Sequence, residues 1–188
     1  MPLLKTLVFE SSEITYDGLQ LAPHWIYKKF DLLGDALVAW VGPCEVTLDH
    51  LVDLTDVKKK APIYSPKMVH FLGEWFIDSF DQGILMQHLF VAGVYEWLWE
   101  KGIRDLRRRG NDIYISDKKL SVSVATKSPV SVLIHFAANI DTQGTPIPTS
   151  GLRALDVDPI SFAKEIVARF SAELTVARAA RAKATARL

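Results

Sequence analysis

The chain has 188 residues, 22 basic and 22 acidic side chains, one cysteine, a hydrophobic fraction of 49% and a charged fraction of 23%. That fits one ordinary globular domain and excludes a disordered or collagen-like chain. A formal charge of zero argues against a nucleic-acid partner, a single cysteine excludes an internal disulfide, and no apolar run approaches the ~18 residues of a membrane span.

Leu3 to Phe9 reads as a short strand. Thr15-Tyr16-Asp17-Gly18 is turn chemistry, since glycine takes positive φ freely and aspartate caps turns. Leu21, Trp25, Ile26, Phe30 and Leu33 recur at helical spacing, with Pro23 tolerated in a first turn and Gly34 as the stop, which predicts a helix over 21–33. Ala36 to Val41 is a buried-strand candidate closed by Gly42-Pro43. From Val46 to Pro66 the chain carries Asp49, Asp53, Asp56, the basic run Lys58 to Lys60 and two prolines. This predicts an irregular excursion with one helical turn, a kind of segment that is often functional. Lys67 to Ile77 reads as another strand.

The clearest element is a helix from Phe80 to Lys101. Ser79 stands three residues before Gln82, a capping-box spacing, and Gly102 is a stop signal. Ile84, Leu85, His88, Leu89, Ala92, Tyr95 and Leu98 are expected to share its packed face. At ~1.5 Å per residue the helix is about 30 Å long, which makes it the expected central packing element. Trp97 and Trp99 lie on different faces, and one of them is expected at a pocket or subunit interface. Three antiparallel strands are predicted next, near 112–115, 120–126 and 130–136, the last two alternating apolar and polar residues. Residues 141–150 are a loop. Asp158-Pro159 starts a terminal helix packed through Ile160, Ala163, Ile166, Val167 and Phe170. Its Ala/Arg-rich end carries Arg178, Arg181, Lys183 and Arg187 and reads as a solvated helix end, with a nucleic-acid or acidic-partner contact as the alternative. The expected layout is one domain over 1–176 and a basic tail over 177–188. The fold class is α+β, a mostly antiparallel sheet packed with a long central helix and a C-terminal helix.

The stretch from Arg107-Arg108-Arg109-Gly110 through Lys118-Lys119-Leu120 resembles a pattern found in biotin protein ligases, lipoate ligases and octanoyl transferases. So do Ile134-His135-Phe136-Ala137-Ala138-Asn139-Ile140-Asp141 and Pro148-Thr149-Ser150-Gly151-Leu152. The chain is identified as a member of the family catalogued as domain of unknown function 366, grouped at fold level with these ligases and with class II aminoacyl-tRNA synthetases. That resemblance implies a class II synthetase-like fold and a small-molecule pocket serving acyl or adenylyl transfer. The alternative is a non-catalytic ligand-binding or assembly module on the same fold.

Carried over residue by residue, the resemblance puts Lys119, or its neighbour Lys118, at the lysine that contacts acyl or adenylate oxygens. A lysine there can stabilise developing negative charge. His135 and Asn139 become ligand contacts, and Ser150 falls where octanoyl transferases place a cysteine nucleophile. The family's Arg-Gly-Gly and His-Gly-Pro-Gly landmarks correspond to Gly34-Asp35 and Gly42-Pro43-Cys44-Glu45, without the arginine, the second glycine or the histidine. Gly34, Asp35, Gly42 and Glu45 are therefore substrate-binding candidates. Asp35 in place of glycine favours a cationic or polar heterocyclic ligand over an anionic one, because a carboxylate accepts hydrogen bonds from ring N–H groups.

Cys44 is a further candidate nucleophile, with His50, His70, His88 or His135 as its base. Neither a phosphate-binding glycine loop nor a metal-binding spacing such as HExxH or CxxC is present, and no metal is expected. ATP is a candidate cofactor, and Arg107 and Arg109 are the candidate phosphate ligands. The N-terminus MPLLKTLVFE lacks the apolar stretch of a signal peptide, so a cytoplasmic protein is expected, and the aromatic-rich composition suggests a homodimer.

Overall fold

The computed structural model describes residues 4–10 and 13–185. The predicted strand start at Leu3 and the tail residue Arg187 lie outside the described residues. The main sheet has five strands: β1 (Lys5–Phe9), β2 (Ala36–Val46), β3 (Ile63–Trp75), β7 (Ser121–Lys127) and β8 (Val132–Asp141), in the order β1-β2-β3-β8-β7. Only the β1–β2 pair is parallel, with Lys5 opposite Ala36. β4 (Leu106–Arg109), β5 (Asp112–Ile115) and β6 (Lys118–Lys119) form a separate small antiparallel sheet.

The period-two alternation of the long strands sends residues to two buried faces. Leu37, Ala39, Val69, Phe71, Ile134 and Phe136 point to one face, which α3 (Phe80–Glu100) and α4 (Pro159–Lys183) cover. An aromatic cluster fills that layer: Phe71 lies 5.3 Å from Phe90 and 5.7 Å from Phe162, in edge-to-face geometry. Ala36, Val38, Trp40, Cys44, Met68 and Leu72 point to the other face. No helix covers it fully. Residues 13–33, including α1 (Trp25–Phe30), cover one end, and α2 (Leu54–Lys59) borders the other.

The helix starts follow their caps. Ser79 Oγ accepts from Gln82 N at 3.1 Å, and an Asp158 carboxylate oxygen accepts from Ser161 N at 2.7 Å ahead of Pro159. α4 packs through Phe162, Ala163, Ile166, Val167, Phe170 and Leu174 and runs on to Lys183. The packed face of α3 differs from the expected one. Met86, Phe90, Val91, Val94 and Trp97 are buried with Leu98, whereas Leu85 is 70% exposed. Apolar residues surround this helix on nearly all sides, so periodicity alone cannot choose the face. Trp97 is buried and donates to Glu165, while the half-exposed Trp99 ring lies under Arg104.

Three other elements depart from the sequence pattern. α1 is shorter than 21–33 because both ends are left-handed: His24 has φ 62 and Asp31 has φ 56. The buried Glu74 carboxylate holds that first turn by accepting from His24 N at 2.9 and 3.0 Å. β2 does not close at Gly42-Pro43 but continues to Val46 through a bulge between Gly42 and Cys44. Residues 14–16 dock beside that bulge: Tyr16 N donates to Pro43 O, and Glu45 N donates to Tyr16 O, both at 2.9 Å. Finally, the predicted three-strand meander is divided. β5 pairs with β4 and β6, and β7 pairs with β8. Leu120 is the handover, donating to Ile113 O in one sheet and accepting from Asn139 N in the other. Among the described residues no helix is long and apolar enough to cross a membrane.

Candidate functional site

A cavity of about 710 Å³ opens on the sheet face that α3 and α4 leave free. Inward residues of β2, β3, β7 and β8 form its floor. The small sheet, α2 and the loop 142–150 form its walls.

His135 lines the floor, and a second buried histidine, His70, lies behind it outside the lining. His70 Nε2 lies 3.1 Å from Gly42 O, and His70 Nδ1 lies 3.1 Å from His135 Nε2. Burial lowers the His70 pKa to about 4, which outweighs the backbone carbonyls of Gly42 and Pro43 that favour the cation, so the ring is neutral at pH 7. Only one tautomer satisfies both contacts. A carbonyl cannot donate, so His70 carries its proton on Nε2 and accepts on Nδ1. His135 must then donate from Nε2, and its Nδ1 keeps a bare lone pair. Burial, then the neighbouring His70, hold the His135 pKa well below the ordinary histidine value. Tyr16 stacks flat on His135, with ring centroids 3.6 Å apart and planes 6° from parallel. Trp40 stacks on His70 at 5.2 Å and is itself fixed by donating to Ile14 O at 2.8 Å.

Gly42 makes this crossing possible. A Cβ there would sit 2.1 Å from Ile14 O, so only glycine lets residues 14–16 pass so close to β2.

On the wall, Lys119 Nζ pairs with Asp112 Oδ2 at 2.8 Å, each side chain about one-fifth exposed. Burial raises the Asp112 pKa, with Lys119 opposing the shift. The Asn139 amide nitrogen donates to Leu120 O at 3.0 Å and faces Lys119 O at 3.5 Å. With carbonyls on that side, the nitrogen must point there and the amide oxygen away from it. Asn111 lines the same wall and donates to Ser123 O at 2.7 Å.

The cavity thus gathers Lys119, His135, Asn139 and Cys44, with Gly42 supplying the carbonyl beneath them. The remaining sequence candidates lie elsewhere. Gly34 and Asp35 precede the opposite end of β2, where Asp35 accepts from Phe76 N at 2.9 Å and pairs with Arg178 at 3.0 Å. The Asp35 carboxylate is therefore unavailable to a ligand in the cavity. Glu45 is exposed and does not line the cavity. Arg107 and Arg109 are exposed on β4 and face Asp117 at 3.4 and 3.6 Å, outside the lining. Ser150 contributes its backbone N–H to Lys119 O at 3.0 Å, while its neighbour Thr149 lines the cavity. The Cys44 thiol is pushed up to about 12, first by burial and then by the Glu45 charge, so it is protonated at neutral pH. Tyr16 and Asp112 complete the lining, and His70 supports His135 from behind it. Tyr16 is hidden in the sequence as a turn residue, whereas the alternation of β3 and β8 does place His70 and His135 on one face.

Three aspartates (Asp53, Asp56, Asp112) and three lysines (Lys59, Lys60, Lys119) line the cavity, a formal charge of zero. Such a lining does not fit a triphosphate, and the two arginines that would supply cations lie outside it. Among the described residues no three His, Cys, Asp or Glu side chains converge as metal ligands.

The fold, with its cavity on the uncovered sheet face, is that of the biotin and lipoate protein ligase group. A T. acidophilum protein described as a candidate lipoate protein ligase superposes with a TM-score of 0.64 at 17% identity, over 91% of this chain and 85% of its own. It has also been solved with bound lipoic acid. A biotin protein ligase of Aquifex aeolicus in complex with biotin gives 0.59 at 15% identity, over 91% and 70% of the two chains. The chain belongs to the family described as domain of unknown function (DUF366), whose model matches residues 5–185. A protein of unknown function from Pyrococcus horikoshi matches with a TM-score of 0.94 and 34% identity over 98% of this chain and all of its own. An uncharacterized protein of Methanocaldococcus jannaschii is 34% identical over 176 residues, 86% of this chain and 79% of the relative.

Proposed function

We propose that the cavity binds a small molecule carrying an acyl group and supports acyl transfer to an outside acceptor. The observation that carries this reading is the half-buried Lys119 ammonium, held by Asp112 in the wall of a cavity whose floor is otherwise uncharged. A cation fixed in such a place stabilises the oxyanion that forms when a nucleophile attacks a carbonyl. The acceptor's nucleophile forms a bond to the carbonyl carbon, the bond to the leaving group breaks, and the acceptor's proton departs with the leaving group or to water. No protein nucleophile is invoked, because Cys44 is protonated and Ser150 lies outside the lining. The fold neighbours support the reading by analogy, since lipoic acid and biotin, bound in two of them, are carboxylic acids on apolar chains. Adenylyl transfer from ATP has less support, given the neutral lining.

The test offers the protein preformed acyl donors (octanoyl-CoA and octanoyl-adenylate) with amine acceptors. Lys119→Gln should lose about 10²-fold or more in transfer while still binding donor. Wild-type turnover by Lys119→Gln refutes the role of the lysine. Binding without transfer by the parent protein supports the second reading, a non-catalytic binding module, which the absence of an activated nucleophile already favours over a covalent mechanism.

A further inference from the structure

Three buried side chains in the cavity have polar atoms that the protein does not use. Tyr16, His135 and Asn139 are 4%, 2% and 3% exposed. The His135 Nδ1 lone pair, the Asn139 Oδ1 and the Tyr16 hydroxyl have no hydrogen-bond partner among the described residues. They are not sealed in either, because Trp75 Nε1 is the one side-chain polar atom among the described residues that is both enclosed and unpartnered. All three residues line the cavity, and none of the three atoms is fully enclosed. Buried polar atoms are normally satisfied, and three convergent exceptions point to a partner from outside the chain.

We infer that the floor of the cavity is built for the uncharged, hydrogen-donating end of the ligand, a carboxamide or a ring amide or ureide, and not for a carboxylate or phosphate. This deepens the proposed reading by naming the chemistry of the buried end, and it rests on that reading only in taking the cavity as a small-molecule site. Two of the three open atoms are acceptors. The Gly42 carbonyl fixes this for His135 through the His70 relay, and the Leu120 carbonyl fixes it for Asn139. The third, a hydroxyl, can donate. A group with two N–H donors beside one carbonyl oxygen, as in a carboxamide, satisfies all three. A carboxylate brings no donor and would set its charge against two lone pairs. His135 cannot relieve that by protonating, since burial holds it neutral. The ligand's charged or reacting end is left for Lys119, the pocket's lysine outside α2 and its C-cap.

The test uses three acids that share a carboxylate and differ at the far end: adipic acid monoamide, adipic acid and heptanoic acid. Each is titrated into imidazole-¹⁵N-labelled full-length protein at pH 7. Both rings should report Nε2–H tautomers. The monoamide should move the His135 Nδ1 resonance and bind roughly tenfold or more tightly than either analogue, a preference that the His135→Phe variant loses. A protonated or Nδ1–H form of His135, a preference for the diacid or heptanoate, or no response to the monoamide overturns the inference. Tautomer and affinity are read on the parent protein without turnover, so failure of acyl transfer and failure of this inference are separate results.

Discussion

The paired histidines make a quantitative prediction about acid stability. A histidine whose folded pKa lies below its unfolded value costs the folded state as pH falls, because the unfolded chain gains protons first. For His70 the fall from 6.5 to about 4 defines the window. Stability is full above pH 6.5, is lost progressively below it, and the loss levels off near pH 4. Between pH 7 and pH 5 that linkage amounts to about 2 kcal/mol for His70 alone. His135 shifts in the same direction and adds to the slope. Among the described residues no carboxylate hydrogen-bonds either ring, and the aromatic neighbours Tyr16 and Trp40 bring no charge to offset protonation. The carboxylates held low, Asp141 and Glu165 by hydrogen bonds from Arg153 and Lys101 and Asp158 by its capping of Ser161, lose their contribution only as pH falls through the ordinary carboxylate range, below this window. Urea unfolding at pH 7, 6 and 5 should therefore show a fall of about 2 kcal/mol from His70, a large part of an ordinary domain's stability, with His135 adding to it and the burial-raised Asp112 opposing it. A variant with His70→Leu and His135→Phe should be less stable at pH 7 but flat across the window. Constant wild-type stability from pH 7 to 5, or an unchanged slope in the variant, would refute both the neutral pair and the tautomer relay built on it.

Three further outcomes follow from single contacts. Gly42→Ala should destabilise by roughly 1–3 kcal/mol, read as a lowered Tm, because the added methyl meets the Ile14 carbonyl; an unchanged Tm would mean that residues 14–16 do not cross β2 as described. Cys44 should react slowly with an aromatic disulfide reagent in the native protein at pH 8 and rapidly once unfolded, since its thiol is raised to about 12; fast native labelling would contradict its burial. Arg107→Ala and Arg109→Ala should leave ligand affinity within about twofold, as expected for exposed side chains paired only with Asp117; a tenfold loss from either would return the arginines to the site.

The architecture was legible because it rests on strong local signals. Ser79, Gly102 and Asp158-Pro159 mark helix ends, and the alternation around His135 sets its face against Ile134 and Phe136. The site was half legible. Lys119, His135 and Asn139, taken from the family pattern, and Cys44, read from its turn, line one cavity. Asp35, Arg107 and Arg109 have charges that suit a ligand, yet the tertiary structure puts them outside the cavity lining, with Asp35 bonded to Phe76 N and the arginines beside Asp117. The face of α3 was illegible for the opposite reason: with apolar residues nearly all round, the sheet and α4 decide which ones are buried. Asn139 shows a subtler gap. Its position near the end of β8 could be read, but which end of its amide faces the cavity depends on the Leu120 carbonyl, contributed where the chain passes between the two sheets.

Gly42 links these levels. Its missing side chain lets residues 14–16 lie against the bulge of β2, which puts Tyr16 over His135. Its carbonyl, at the same bulge, accepts a hydrogen bond from His70 Nε2–H and so sets which nitrogen of His135 keeps its lone pair. A regular strand would leave Gly42 O engaged with its neighbour strand and give Tyr16 no place to dock. The lone pair offered to a ligand is thus a consequence of a backbone irregularity two residues before Cys44, transmitted through one histidine to another. A site polarised in this way needs no charged residue on its floor. The single fixed cation, Lys119, can then act on the reacting end of the ligand without competing for its buried end.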